Sequence, residues 1–465
     1  MKVFKIRFFS LLLTVFCSSF IMAQNSKKPN IIVILTDDMG FADVGIQGSE
    51  KDLLTPNLDA LAKSGVRMTN GYVTAPQCVP SRAGLLTGRY QTRFGLEMNG
   101  QGPLKLEEVT IAERLKLAGY TTGFSGKWHL ESGSEEEKAA KDKNETQKPL
   151  DRSIYMPVNQ GFDEYLAGYM IRYQASHEID GTKIEGAPKM IVNKDFRVDV
   201  QANWAVSFVD RNAQKPFFLF LPLFAPHVPS EATEKYLNRF PNATKERKIA
   251  LAMISAIDDG VGNLVKKLKE KGILENTLII FLSDNGAPLR PKAWNGSLNT
   301  PQVGEKGMLT DGGIKIPFIM SWKGTLPAGK VYEKPIISLD IAATAIEMAG
   351  LKPEKTLDGV NLMPFLLGKN NKSPHDVLYW RWRSQAAIRM DNWKLVKLTD
   401  QKSYLFDLNS KEKEDKNVLD KNPKIAAELE KKLLAWSMEM IPTGLPTGKP
   451  SVGDTYFFDT FLKDK

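Results

Sequence analysis

Residues 30–36 are an unbroken apolar, largely β-branched run, NIIVILT, closed by Asp37-Asp38-Met39-Gly40. A run with no polar face predicts a strand covered on both sides, the condition of a parallel strand between layers of helix. Residues 217–223, 278–283 and 316–322 read the same way. Between these runs the pattern changes to the helical period. A helix is expected from Thr55-Pro56, with proline at its first position, to Gly65. A second opens on Thr110, with Glu113 three residues on in the spacing of a reciprocal cap, and stops at Gly119. A long amphipathic helix fills 248–271, ahead of Gly272. Helices alternating with doubly buried strands predict an α/β sandwich, its large mixed but mostly parallel sheet lying between helices. After about residue 376 come short strands at 377–382, 386–390 and 393–397, then an amphipathic helix at 424–438. The expected division is therefore a main domain over 24–375 and a small C-terminal α+β subdomain over 376–465. Residues 134–148, dense in charges of both signs, read as a surface insertion.

Lys2, Lys5 and Arg7 precede an apolar stretch at 8–22 and then Ala23, the order of an export signal cleaved after Ala23. Its apolar core is too short for a comfortable membrane span. Cys17 admits a lipid anchor instead, but Phe16 is bulky where that motif takes a small residue. The expectation is soluble export, periplasmic or secreted, with no stable membrane insertion. Cleavage leaves Cys78 as the single cysteine of the 2 in the chain, so no internal disulfide can form. The net charge of +9 attracts anions. No Arg-rich arm or basic–aromatic motif directs that charge to nucleic acid, which leaves an acidic carbohydrate or plain solubility.

Asp37 and Asp38 follow the first predicted strand; Asp284 and Asn285 follow the strand at 278–283. In parallel α/β sheets, ligands gather beyond the carboxyl ends of strands. Three carboxylates and an amide oxygen make an oxygen-only set suited to calcium or magnesium. Either pair alone would be an ordinary turn or helix cap, whereas two pairs in equivalent places point to a cation between them. In Cys78-Val79-Pro80-Ser81-Arg82, Pro80 suits the first turn of a helix. That sets position 78 near the helix's positive end, with Arg82 adding a fixed charge. Cys78 is open here to a packed thiol or a thiolate nucleophile, and a soft thiolate suits a hard cation poorly.

Cys-x-Pro-Ser-Arg followed in register by Thr87-Gly88-Arg89 resembles the signature of the sulfatase family within the alkaline-phosphatase superfamily. The resemblance covers most of the chain. It takes in Asp37-Asp38-Met39-Gly40, Gly126-Lys127-Trp128-His129, Ala225-Pro226-His227-Val228-Pro229, Ser283-Asp284-Asn285-Gly286 and residues 304–317. It implies an alkaline-phosphatase-like fold and oxidation of Cys78 to formylglycine (3-oxoalanine) by a separate maturation enzyme. It also implies one calcium ion held by Asp37, Asp38, Asp284, Asn285 and the side chain at 78. One hydroxyl of the formylglycine hydrate would attack sulfur and expel the sugar alcohol; deprotonation of the other would release sulfate and restore the aldehyde. Arg82 would orient the hydrate. His129, beside Lys127, would be the base of that elimination. His227 and Lys306 would hold the sulfate, with His227 favoured as the acid because imidazole titrates in the useful range.

The other two of the 4 histidines, His177 and His375, read as structural, although His177 could face substrate. Tyr169, Arg172 and His177 lie in an irregular segment that could line a sugar site. Trp294 and Trp380-Arg381-Trp382-Arg383 could stack on sugars and pair with anionic groups. Core packing and surface charge are the plainer explanation of each. Two places depart from the family pattern: Asp311-Gly312-Gly313-Ile314-Lys315 stands where Glu-Gly-Gly-x-Arg is usual, and Glu131 where glycine is common. The expected function is hydrolysis of sulfate esters on a poly- or oligosaccharide such as ulvan, carrageenan or a glycosaminoglycan. A phosphatase or phosphodiesterase of the same superfamily is the nearest rival, but the histidines are few for a two-zinc site. A noncatalytic glycan-binding protein would require missing catalytic residues, and none is missing.

Overall fold

A computed structural model describes residues 28–131 and 151–463; the expected export signal, Cys17 and the insertion at 134–148 lie outside the described residues. Among the described residues, one sheet has ten strands. Their spatial order is β11 (Lys330–Tyr332), β2 (Val66–Met68), β10 (Phe318–Ser321), β9 (Thr277–Ser283), β1 (Asn30–Asp37), β8 (Phe217–Pro226), β4 (Thr121–Gly126), β5 (Glu164–Gly168), β6 (Arg172–Ala175) and β7 (Lys189–Val192). The inner strands β9, β1, β8, β4 and β5 run parallel, and β10, β6 and β7 are antiparallel to their neighbours. The strands β3 (Gly71–Tyr72) and β12 (Ile336–Ile337) pair with each other in a separate short ribbon.

Every residue of β1 is buried, and its side chains alternate between two cores. Ile31, Val33 and Leu35 enter one apolar cluster; Ile32 and Ile34 enter the other. The helices Cys78–Thr87, Ile111–Leu117 and Asp340–Met348 close the first face, and Pro56–Lys63, Arg197–Asn212 and Lys245–Glu270 close the second. The cap expected at Thr110 is reciprocal. Its hydroxyl accepts from Glu113 N–H at 3.2 Å, and Glu113 Oε2 accepts from Thr110 N–H at 2.7 Å. The helix Arg197–Asn212 has no counterpart in the sequence reading, because it starts after Phe196 without a side-chain cap and buries a charged residue, Arg197, in its first turn.

The C-terminal strands β13 (Val377–Trp382), β14 (Gln385–Met390), β15 (Trp393–Leu398) and β16 (Lys402–Asp407) form an antiparallel meander. Helix Pro423–Ser437 packs on it. This unit does not keep a core of its own. Trp380, Ile388, Leu395, Leu405 and Leu429 belong to the same cluster as Ile31 and Val33. Trp380 is fully buried, stacks obliquely 5.3 Å from Tyr72, and donates its indole N–H to the Val73 carbonyl at 2.7 Å. At the same seam Lys394, fully buried, meets Asp311 at 2.7 Å and Glu414 at 2.8 Å. No helix among the described residues is long and apolar enough to cross a membrane.

His375 has a structural place. Its Nε2 lies 2.7 Å from Asp340 Oδ1, and the Asp340 carboxylate also accepts from Ile337 and Val360 N–H, both at 2.9 Å. Burial works to lower the His375 pKa, and the Asp340 charge outweighs it, so the pKa is raised.

Two stability predictions follow from this packing. Trp380→Ala should cost about 3–5 kcal/mol. Urea unfolding followed by fluorescence and by circular dichroism should nonetheless give one coincident transition, because the two units share a core. The raised pKa of His375 makes its ion pair with Asp340 fully stabilising below about pH 6.5 and progressively lost as pH climbs through the folded-state value. Comparing the pH dependence of thermal stability with that of His375→Ala should isolate this loss: the wild-type advantage should shrink as pH rises through that window and stay flat in the variant.

Candidate active site

The site is built where the inner strands end. β1 and β9 are parallel and in register, Thr36 opposite Ser283, so Asp37-Asp38 and Asp284-Asn285 emerge side by side. The Asp38 N–H donates to Asp284 Oδ1 at 3.1 Å, and Asp38 itself has a left-handed φ of 63°. On the other flank β8 leads into His227, and β4 ends at Gly126 before Lys127. Gly126 has φ 133°, and a Cβ there would sit 2.0 Å from the Pro222 carbonyl oxygen. Only glycine allows that approach, which lets Lys127 N–H donate to the same oxygen at 2.8 Å.

Helix Cys78–Thr87 begins at Cys78, with Gln77 as its extended cap and Pro80 in the first turn. Cys78 Sγ lies 3.5 Å from Asp37 Oδ1, 4.0 Å from Asp38 Oδ1, 3.4 Å from Lys306 Nζ and 3.7 Å from Lys127 Nζ. One turn along the helix, Arg82 donates from Nε and Nη2 to Asp284 Oδ2 at 3.1 and 2.8 Å, and from Nη1 to the Lys127 carbonyl at 2.8 Å. Its Nη2 is also 3.4 Å from Asp37 Oδ2. Lys127 Nζ is 2.6 Å from Asp37 Oδ2. Lys306 Nζ is 2.6 and 2.8 Å from the two oxygens of Asp38, and His227 Nε2 is 3.5 Å from Asp38 Oδ2. The structure thus brings Cys78, Arg82, Lys127, His227 and Lys306 together with Asp37, Asp38, Asp284 and Asn285. His129 follows two residues after Lys127, also with left-handed φ (63°), its ring edge-on to Tyr169 at 6.2 Å.

Burial dominates the electrostatics and is answered by charge. It works to raise the Asp37 pKa, yet Lys127, His227, Arg82 and Lys306 together hold that carboxyl well below the usual range. Asp284 goes the other way: burial and the neighbouring Asp37 raise it, and Arg82 offsets them only in part. The Cys78 thiol is pushed up by burial and by the Asp284 charge. A shift in that direction disfavours the thiolate in the metal-free site. Burial, with Lys127 and Arg82, pushes His129 well down, so its imidazole is neutral.

The donor set fits a hard divalent cation. Asp37, Asp38, Cys78 and His227 each offer a ligand atom, all within 4.8 Å of one another. Asn285 donates from Nδ2 to Asp38 Oδ1 at 2.7 Å, and its Oδ1 is buried with no hydrogen-bond partner. An orphaned amide oxygen beside clustered carboxylates is what an oxygen-ligated ion would satisfy. The grouping brings in His227, which was not among the expected ligands, while one oxygen of Asp284 is occupied by Arg82.

Several supporting residues were not visible in the sequence. The Phe224 ring lies 5.0 Å from Lys127 Nζ, 4.8 Å from the Arg197 guanidinium and 5.0 Å from the His227 ring. Arg197, fully buried, donates to the carbonyls of Phe224, His227 and Pro229 at 2.6, 2.7 and 2.9 Å and so fixes the loop bearing His227. Asn295 Nδ2 ties the ends of β1 and β8, reaching the Asp38 and Pro226 carbonyls at 3.1 and 3.2 Å. In sequence, Asn295-Gly296 reads as an ordinary turn.

The expected sugar contacts scatter. Tyr169 packs edge-on against His129 and Phe224, its hydroxyl donating to Glu131 Oε1 at 2.8 Å, and Arg172, three residues on in the chain, is exposed. His177 is 2.9 Å from Ser176 Oγ and 3.8 Å from Glu164, which pairs with Gly123, three residues short of the strand end. Trp294 donates to the Ser297 carbonyl at 2.9 Å, and Arg383 reaches Ser451 Oγ at 3.0 Å. Arg381 requires a correction. It is 2% exposed and bonds Glu97, Ser437 Oγ at 2.8 Å and the Gly444 carbonyl at 2.7 Å, so it braces the fold and cannot meet a sugar.

Residues 29–351 match the family described as Sulfatase, and residues 303–439 match that of the N-sulphoglucosamine sulphohydrolase C-terminal region. Homo sapiens arylsulfatase A is 32% identical over 404 residues, covering 79% of this chain and 75% of its own. The uncharacterized sulfatase YdeN of Escherichia coli K12 is 32% identical over 399 residues, covering 76% and 68%. The crystal structure of Ps i-CgsB in complex with k-i-k-neocarrahexaose superposes with a TM-score of 0.76 at 32% identity, covering 93% of this chain and 97% of that one. The family match runs from the strand that delivers the first two carboxylates to well past the Lys306 loop, and on that ground the chain belongs to the sulfatase family, the sulfuric ester hydrolases of alkaline-phosphatase-like fold.

Proposed function

We propose that this sulfatase is an exported enzyme that removes sulfate esters from a carrageenan-type oligo- or polysaccharide, with Cys78 matured to formylglycine by a separate enzyme and one calcium ion at the strand ends. The observation that carries the reading is the setting of position 78, within 4.0 Å of two carboxylates and two lysine ammoniums. When present, formylglycine hydrate supplies a hydroxyl nucleophile at position 78, and calcium supplies positive charge for the sulfuryl oxygens. Asp37, Asp38, Asp284 and Asn285 would hold the ion.

The remaining work falls to side chains. Arg82, locked by Asp284 and the Lys127 carbonyl, keeps a fixed guanidinium beside position 78. Lys127 and Lys306 flank that position from 3.7 and 3.4 Å, so a sulfate group brought there meets two cations. His227 is partly exposed at the rim, and its Nδ1 is 2.6 Å from the Val228 carbonyl oxygen. That carbonyl holds the proton on Nδ1, so it is the doubly protonated ring, beside Asp38, that can pass its Nε2 proton to the departing sugar oxygen. His129, held neutral, can take the proton whose loss frees the sulfate. Ps i-CgsB, bound to a neocarrahexaose, supports carrageenan among the sulfated glycans, and a net charge of +9 suits an anionic polymer. Tyr169, edge-on to His129, and the exposed Arg172 are the candidate contacts for such a chain.

Two experiments test this reading. Cys78→Ser should fold with unchanged circular dichroism and lose at least about 10³-fold in sulfate release from carrageenan oligosaccharides. Mass spectrometry of the peptide containing residue 78 should find formylglycine in the active wild-type enzyme, and retained turnover in the serine variant would remove it from the mechanism. Chelation should abolish sulfate release and added calcium should restore it; recovery with zinc alone would instead favour a phosphatase-type site.

A further inference from the structure

Three ties hold the backbone of the loop to other segments at Lys306 and just after it. Lys306 N–H donates to the Ala287 carbonyl at 3.0 Å, and Gly307 N–H donates to the Pro76 carbonyl, also at 3.0 Å. The third tie comes from the C-terminal unit. Gln385, the first residue of β14 and fully buried, donates from Nε2 to the Gly307 carbonyl at 2.8 Å, and its Oε1 accepts from Leu309 N–H at 3.0 Å. Its second amide hydrogen goes to Asp454 Oδ1 at 2.8 Å, on helix Val452–Phe461. With both ends of the amide engaged, the side chain has one orientation that satisfies every bond.

The grip extends around the glutamine. A Cβ at Gly307 would lie 2.9 Å from Phe457 Cζ, so the C-terminal helix presses directly on the residue after Lys306. Trp382, at the end of β13, donates to Gln77 Oε1 at 3.3 Å, next to Cys78. One turn of the small sheet therefore touches both the loop of Lys306 and the start of the helix bearing position 78.

We infer that Gln385 is a positioning residue for sulfate recognition: by clamping Gly307 and Leu309 it aims the Lys306 ammonium at the space beside position 78, and Asp454 holds the clamp. The inference rests on the proposed sulfate-binding role of Lys306. Methionine at 385 has similar length and no polar end, so it would leave the Gly307 carbonyl and the Leu309 N–H unpaired in the interior, and the loop would shift to find partners. A displacement of about 1 Å is enough to cost up to roughly 10²-fold in a site that depends on alignment.

A double-mutant cycle on affinity for inorganic sulfate, measured by titration calorimetry on the full-length, calcium-loaded enzyme, tests it. Gln385→Met and Lys306→Ala should each weaken sulfate binding roughly tenfold or more, the loss of one charge-assisted bond. The double variant should stay within about twofold of Lys306→Ala, because a clamp with no lysine to aim has nothing left to lose. Additive losses, or sulfate affinity unchanged in Gln385→Met, would overturn the inference while leaving Lys306 in place. No measurable sulfate binding by the wild-type enzyme, or none lost in Lys306→Ala, overturns the reading of Lys306 and the inference with it. Should Gln385→Met fail to fold, Asp454→Ala loosens the same amide from its far side and enters the cycle with the same outcomes.

Discussion

Three carboxylates that are 0–2% exposed, Asp37, Asp38 and Asp284, crowd together at the site, and Lys127, Lys306 and Arg82 are brought against them. Desolvating a carboxylate costs several kcal/mol per ion, and good geometry at every partner is what repays it. No single element supplies that geometry. The acids come from the ends of β1 and β9, the cations from the end of β4, from one turn into the helix Cys78–Thr87 and from a loop braced by the C-terminal sheet. The site is therefore a meeting point whose charge balance presupposes the whole fold, and the register of β1 against its parallel neighbours is what sets the meeting point.

The parts of this arrangement legible in sequence were those written locally. The run at 30–36 has one physical solution, a strand hidden on both faces, and it is β1. Thr110 with Glu113, and Pro56 at a helix start, declare their ends by their own side chains. The acids could be placed together because they follow strand ends, and Lys127, His129, His227 and Lys306 were joined to them by the resemblance to the sulfatase signature. What stayed hidden was set by distant partners. Arg197 carries no signal in the sequence, and its place appears only when the carbonyls of 224, 227 and 229 surround its guanidinium. Arg381 looks like a hand for an anionic ligand until Glu97, 284 residues away in the chain, closes on it. Gln385 has no signature at all, since its role depends on two loops that periodicity does not describe.

The C-terminal unit shows the same division. Its strands at 377–382, 386–390 and 393–397 could be read from short runs with polar turns between them, which gives a small subdomain packed on the main one. Burial of Trp380 in the core of the large sheet, and of Lys394 between Asp311 and Glu414, makes the seam an interior instead. A buried ion pair of this kind adds little net stability but penalises any misdocked arrangement that would strand one of the charges. The seam thus favours one relative placement of the two units, which is what a loop aimed from the far side requires.

The left-handed turn at Asp38 resolves a conflict of periodicity. In a strand, consecutive side chains leave opposite faces, so two neighbouring aspartates at the end of β1 would point away from each other. Rotating the backbone into the left-handed region at the second one, a conformation aspartate tolerates better than most residues, swings it back onto the side already chosen by the first. A chain that built the same convergence from alternating positions would need another residue between the acids, and the loop leaving β1 would start from a different direction.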